Sequence, residues 1–307
     1  MSLVIVGSVA FDAIETPYGK TDKIIGGAGS YIALAASFFR ENPKLISVVG
    51  DDFPKAYLDL LNSKSVDTEG IEICKGEKSF FWSGRYHSNM NQRDTLVTEL
   101  NVLAKFDPKI PDSYQNPDFL MLGNLSPEVQ LKVLNRLHKR PKFVALDTMN
   151  FWIEGSLENL KKVISKTDAI IINDEEARML SGELSLVKAA KAIQNMGPKY
   201  IIVKKGEHGA LLFGEGKIFS APALPLSEVF DPTGAGDSFA GGFIGYLAQK
   251  DDYSFDSMKT AVIVGSVMAS FDVEKFGTER LTELSPADIN KRLKQFSDLV
   301  HFDSFNL

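Results

Sequence analysis

Apolar residues in this chain gather in short unbroken runs, each closed by glycine or a small polar residue. Residues 3–6 end at Gly7, 45–49 at Gly50-Asp51 and 119–122 at Gly123-Asn124. Residues 143–146 end at Asp147, 169–172 at Asn173 and 200–203 at Lys204-Lys205-Gly206. Unbroken runs, as opposed to alternation, fit strands buried on both faces of a mostly parallel sheet. Helical stretches separate them at 30–40, 127–139, 158–165 and 185–196. Strands alternating with helices imply right-handed crossovers and a doubly wound, three-layer α/β/α fold. Ligands of such sheets collect beyond the carboxyl ends of the strands, where this chain places Gly, Asp and Asn.

Two stretches break the rhythm. Residues 12–25 contain Pro17 and Gly19 and predict a small hairpin. Within residues 71–106, period-2 spacing puts Phe80, Trp82 and Tyr86 on one face and Phe81, Ser83, Arg85 and His87 on the other. Together they predict a small β lid over the strand ends of a single domain spanning 1–307. An edge hairpin that merely covers core is the plainer alternative.

Composition narrows the class. With 44% hydrophobic and 24% charged residues, the chain has the make-up of an ordinary globular enzyme. A formal charge of −6 argues against nucleic acid as a partner, and no apolar run is long enough to span a bilayer. Cys74 stands alone and the N-terminus lacks a basic leader, so a reducing cytoplasm is the expected compartment. The four histidines, at 87, 138, 208 and 301, show no metal-ligand spacing.

Chemistry concentrates in Asp231-Pro232-Thr233-Gly234-Ala235-Gly236-Asp237. Phe239, Phe243 and Leu247 recur at helical spacing, so a helix starts near Gly236. A proline and two glycines before a helix form a turn whose amides, aided by the helix dipole, can hold an anion. A lone aspartate at a helix start usually caps it or partners its dipole. Among anion-binding amides, an aspartate makes sense as a base that takes a proton from an alcohol while the amides hold charge developing on a phosphoryl group.

Gly26-Gly27 near the start and the segment 231–237 near the end resemble the two signatures of the ribokinase-like (PfkB) carbohydrate kinases, in order and spacing over nearly the whole chain. The resemblance implies transfer of the ATP γ-phosphoryl group to a hydroxyl of a small sugar or sugar-like metabolite. Asp237 would be the base, and the amides of Gly234, Ala235 and Gly236 the anion hole. Asp12, Gly26 and Gly27 would meet the substrate; a turn aspartate and a helix start are the alternatives. Asn173 and Glu176 match an Asn-x-x-Glu motif that arranges water around phosphate-bound Mg²⁺; the same residues would also suit an acidic helix start. Lys204, Gly206, Gly209, Thr233 and Gly277 fall in the nucleotide-binding segments, with lysine at 204 where the family usually has threonine. Asp231 falls where some relatives bind a monovalent cation such as K⁺.

Departures bear on the substrate. Tyr31 stands where sugar kinases commonly carry asparagine, so it is expected in the pocket wall. Trp82 could stack on a sugar or a nucleobase, Arg85 and Arg93 could meet a substrate anion, and Asn101 resembles an asparagine leading back from the lid. A nucleoside (adenosine-like) kinase is the main alternative, and a catalytically silent metabolite sensor on the same fold the alternative from another class. Neither glycine cluster fits a dinucleotide fingerprint, since Phe239 and Ile32 take the last glycine position, and no P-loop motif occurs. Homodimerisation through the lid edge is expected by resemblance.

Overall fold

All six apolar runs become strands of one sheet in the computed structural model, which describes residues 1–301 and 303. In chain order the strands are β1 (Leu3–Val6), β2 (Ala10–Thr16), β3 (Gly19–Lys20), β4 (Ile24–Gly26), β5 (Lys44–Gly50), β6 (Ile71–Cys74) and β7 (Phe81–Tyr86). They continue as β8 (Arg93–Glu99), β9 (Phe119–Leu122), β10 (Phe143–Asp147), β11 (Ala169–Asn173), β12 (Tyr200–Lys204), β13 (Ala210–Gly214) and β14 (Lys217–Ala221). The main sheet runs β14-β13-β12-β11-β10-β9-β1-β5-β6 and is parallel except where β13 pairs with β12 and β14.

Its two faces explain the unbroken runs. Leu3 and Ile5 join an apolar core under the Ala28–Ser37, Ala235–Lys250 and Phe255–Asp272 helices. Val4 and Val6 join a second core under Pro127–Arg136, Leu157–Ile164, Asp174–Ser181 and Leu186–Gln194. Each of the six strands is therefore covered on both sides, and alternation has nothing to distinguish. The helices stop a little short of the expected ends. Ser126 caps Pro127–Arg136 by accepting from the Val129 amide, with Pro127 in the first turn, where its missing N–H costs nothing.

The lid is a separate sheet, β3-β2-β7-β8, with β4 added on β2. The expected hairpin at 12–25 is three strands. Residues 71–74, expected in the lid, instead extend the main sheet as its edge strand beside β5, so the lid's second part begins at Phe81. The parallel pairing of β2 with β7 sets Asp12 opposite Trp82, and β7 turns Trp82 and Tyr86 to one face as expected.

The helix that follows the glycine-rich loop is seated by small residues. A side chain at Gly241 would strike the Ile32 carbonyl at 2.3 Å, and one at Gly265 the Phe239 carbonyl at 2.8 Å. Two helices, Ala28–Ser37 and Phe255–Asp272, thus approach Ala235–Lys250 closely, and the Ala261, Gly265, Ala269 stripe serves packing. No helix among the described residues is long and apolar enough to cross a membrane.

Candidate active site

The carboxyl ends of β10, β11 and β12 place Asp147, Asn173 and Lys204 side by side, and the loop before Ala235–Lys250 closes over them. Gly234 has φ 85° and caps that helix in the left-handed region, which glycine adopts without penalty. The Ala235 amide donates to the Pro232 carbonyl at 3.3 Å and is partly spent within the turn. The Gly234 and Gly236 amides make no such bond among the described residues and are the open donors of the expected anion hole.

Asp237 lies in the first turn, part-covered, with Oδ1 buried and unpartnered. Burial, then the nearby Asp147 charge, pushes its carboxyl up to about 7, while Lys204 and Arg93 pull it down. A base whose proton leaves near neutrality suits proton transfer at working pH. Glu176 is also raised to about 7, by burial first, and Asp147 is raised by burial against the pull of Lys204. Three acids therefore surround one ammonium, which is held in its charged form by Asp147, Glu176 and Asp237 despite its burial.

Asp12 is only 4% exposed, and burial lifts its carboxyl to about 7 against the Gly27 amide. Any side chain at Gly26 would collide with its Oδ2 at 1.8 Å, so Gly26 is the clearance for this carboxylate. Gly27, at φ 89°, starts the Ala28–Ser37 helix. Gly26 thus ends β4 beside Asp12, and Gly27 opens the helix.

The remaining candidates divide. Asn173 and Glu176 form a capping box, each bonded to the other's amide at 2.8 Å, so the helix-start reading holds. It leaves Asn173 Nδ2 and Glu176 Oε1 free for water, which fits an outer-shell role toward Mg²⁺. Tyr31 requires correction. At 1% exposure its ring lies beneath Gly234, and it forms the floor of the loop instead of the pocket wall. Asn101 donates to the Ser79 carbonyl at 2.8 Å and so anchors the lid's return. Gly209 lets the Ala221 carbonyl approach, and Gly277 donates its amide to Asp231 Oδ2 at 2.9 Å; both serve the backbone. Gly206 sits beneath the lid tip, 3.2 Å from Asn91 Oδ1 if a Cβ were added.

The lid is closed. Thr233 Oγ1 donates to Tyr86 Oη at 3.1 Å, a contact worth about 1 kcal/mol and therefore easily opened. Arg85 pairs with Glu15 on the outer face, which removes it from the substrate side. Arg93 stands on the exposed strand β8, yet its guanidinium lies 5.5 Å from the Trp82 ring centre and its charge acts on Glu176 and Asp237. Two further acids belong to the site's support. Asp231 is fully buried and accepts from the Thr233 and Gly277 amides. Asp272, also fully buried, accepts from Ser238 Oγ at 3.1 Å and so holds the residue after Asp237. A single acid in the apolar stretch 261–273 was the only signal of Asp272 in the sequence, and Asp147 was visible only as a strand end.

An aspartate with a buried, unpartnered oxygen beside open amides, under a lid and at the strand ends, is an arrangement that suits an alcohol phosphotransferase. The pfkB family carbohydrate kinase pattern matches residues 1–284, and the chain belongs to that family. It is 33% identical to the cytidine kinase of Thermococcus kodakarensis over 250 residues, 80% of this chain and 87% of that one. It is 27% identical to a nucleoside kinase of Methanothermobacter thermautotrophicus over 290 residues, covering 90% and 91%. The crystal structure of the Methanocaldococcus jannaschii nucleoside kinase superposes with a TM-score of 0.76 at 22% identity, covering 96% of this chain and 99% of that one. The protein is thus a ribokinase-like kinase that uses ATP to phosphorylate a sugar or sugar-like acceptor.

Proposed function

We propose that the acceptor is a nucleoside, phosphorylated on a primary hydroxyl of its sugar. The observation that carries this is the pairing of Asp12 with Trp82 across β2 and β7. A carboxylate able to accept from two vicinal hydroxyls stands beside an aromatic ring able to stack on a base, as a ribonucleoside requires. The relationship to a cytidine kinase supports the same reading.

In the reaction Asp237 takes the hydroxyl proton as the oxygen attacks the γ-phosphorus, and the bond to the ADP oxygen breaks. The Gly234 and Gly236 amides hold the growing charge. Bound Mg²⁺ would neutralise phosphate charge, with Asn173 Nδ2 and Glu176 Oε1 arranging its water. A K⁺ ion near Asp231 would offset the buried carboxylates of Asp231 and Asp272, whose Oδ2 lacks a partner. The single Cys74 fits a cytoplasmic setting.

ATP consumption measured with cytidine, other nucleosides, ribose and fructose phosphates tests the proposal. Nucleosides are expected to lead free ribose by at least about tenfold in kcat/KM. The Trp82→Ala variant should lose about 10- to 100-fold toward the best nucleoside and little toward ribose, since stacking on one base contributes about 1–3 kcal/mol. Preference for a sugar phosphate, with Trp82→Ala unimpaired, would reject the nucleoside and point to Arg93 as the contact.

The lid offers a place for a second copy. All seven residues of β8 are exposed, and Leu96 is 48% and Val97 40% accessible on this free edge. A dimer mass in sedimentation is expected, and Val97→Lys should shift it to monomer. A wild-type monomer at micromolar concentration would refute it.

A further inference from the structure

We propose that Lys204 is a catalytic residue of the transfer, an ammonium that leaves Asp147 to meet the phosphoryl group as it passes to the acceptor. The inference rests on the phosphotransferase reading of the Asp237 site and deepens it. Lys204 closes β12 next to Asn173, and its Nζ would lie 2.8 Å from a Cβ placed on Gly236. The charge is thus seated against Gly236, the residue that carries one of the two open amides. Its side chain is only 18% exposed, yet its approach to Asp147 Oδ1 is 3.6 Å, too long for a direct hydrogen bond.

Asp147 Oδ1 is itself buried without a hydrogen-bond partner, so the pair is held by charge and loosely joined. A buried ammonium with unspent donors is costly to keep, and an arriving phosphate oxygen would satisfy it. Asp237 Oδ1 is likewise buried and unpartnered on the same side. Base, cation and open amides therefore converge on one volume. A threonine at position 204 would bring a hydroxyl to that volume; lysine brings a full positive charge.

The atoms balance without the lysine giving up its proton. The acceptor hydroxyl loses its proton to Asp237, its oxygen bonds to the γ-phosphorus, and the bond to the bridging oxygen breaks with both electrons remaining on ADP. Lys204 donates hydrogen bonds to the equatorial oxygens as charge spreads over them. Asp147 holds the ammonium in reach before nucleotide arrives.

Lys204→Met and Lys204→Arg, in the full chain, test this by turnover with the best acceptor and by calorimetric titration with ADP and with a non-hydrolysable ATP analogue. Lys204→Met should lower kcat at least about 100-fold with the acceptor KM little changed. It should weaken the ATP analogue at least about tenfold more than ADP, because only the analogue carries the γ-phosphate. Lys204→Arg, which keeps the charge, should recover most of kcat. The double variant Asp147→Asn/Lys204→Met removes both charges and should fold with the same kcat loss, which separates chemistry from misfolding. Equal weakening of ADP and the analogue, or kcat within about threefold of wild type, would overturn the assignment. Failure of the wild-type chain to bind ADP would instead overturn the kinase reading on which it rests.

Discussion

Replacing Asp237 with asparagine is expected to reduce kcat at least about 100-fold while leaving the fold, and binding of ADP, in place. Asparagine matches the shape of the side chain but cannot take the hydroxyl proton. The wild-type profile of kcat/KM against pH should rise through about 7, where burial and Asp147 hold the Asp237 proton. The variant's residual rate should lack that limb. The same substitution should stabilise the ligand-free protein. A carboxyl whose proton is held more tightly in the folded than in the unfolded state gives stability that is full below the ordinary value of 3.8 and lost as pH rises to about 7. Above neutrality the folded chain therefore carries the cost of a charged carboxylate whose Oδ1 is buried without a partner, and asparagine removes that charge. Melting curves should show the variant above wild type by a few degrees at pH 8, with the gap closing toward pH 4. A variant that is less stable at pH 8, or that turns over normally, would falsify this role.

That gain in stability is the counterpart of the site's chemistry. Asp12, Asp147, Glu176 and Asp237 are all raised by burial, with Lys204 and Arg93 supplying partial compensation. Such a concentration of acids is expensive in an empty protein, and on the proposed function it would become useful once phosphates, cations and hydroxyls arrive.

The sheet was legible because strands covered on both faces leave unbroken apolar runs, and all six runs became neighbouring or near-neighbouring strands of one sheet. The β13–β14 pair was not legible. Its turn uses Glu215 and Gly216 at φ 52° and 71°, a conformation that the segment Gly214-Glu215-Gly216 signals only weakly beside the Asn-Gly that usually marks it. Residues 71–74 were misplaced because a short edge strand carries the same pattern in a lid as in a main sheet. The site divided in the same way. Asp237 and its glycines stand out in the sequence because the features that suggest their chemistry lie within seven residues. Asp272 acts from a distant segment, and nothing near it in sequence ties it to the loop it supports. Tyr31 was misread because a residue's place in a motif does not say which side of the backbone its ring will fill.

The position of that ring yields the second large effect. Gly234→Ala should lower kcat about 100- to 1000-fold and destabilise the protein by roughly 1–3 kcal/mol. Two causes act together. Alanine at φ 85° carries the left-handed backbone penalty of about 1–2 kcal/mol, and its Cβ would fall 2.3 Å from the Tyr31 ring. That ring is fully packed between the Ala28–Ser37 helix and the loop, so the loop must move instead. Displacing it tilts the Gly234 and Gly236 amides away from the charge they are meant to hold. Gly236→Ala makes the useful contrast: its backbone is helical, and the new Cβ would meet only Nζ of the flexible Lys204 at 2.8 Å. It should therefore melt close to wild type while losing activity through the displaced ammonium. Thermal melts and initial rates of the two variants together separate loop geometry from charge placement. A Gly234→Ala enzyme with near-normal kcat would show that these amides do not form the anion hole, whatever its melting temperature.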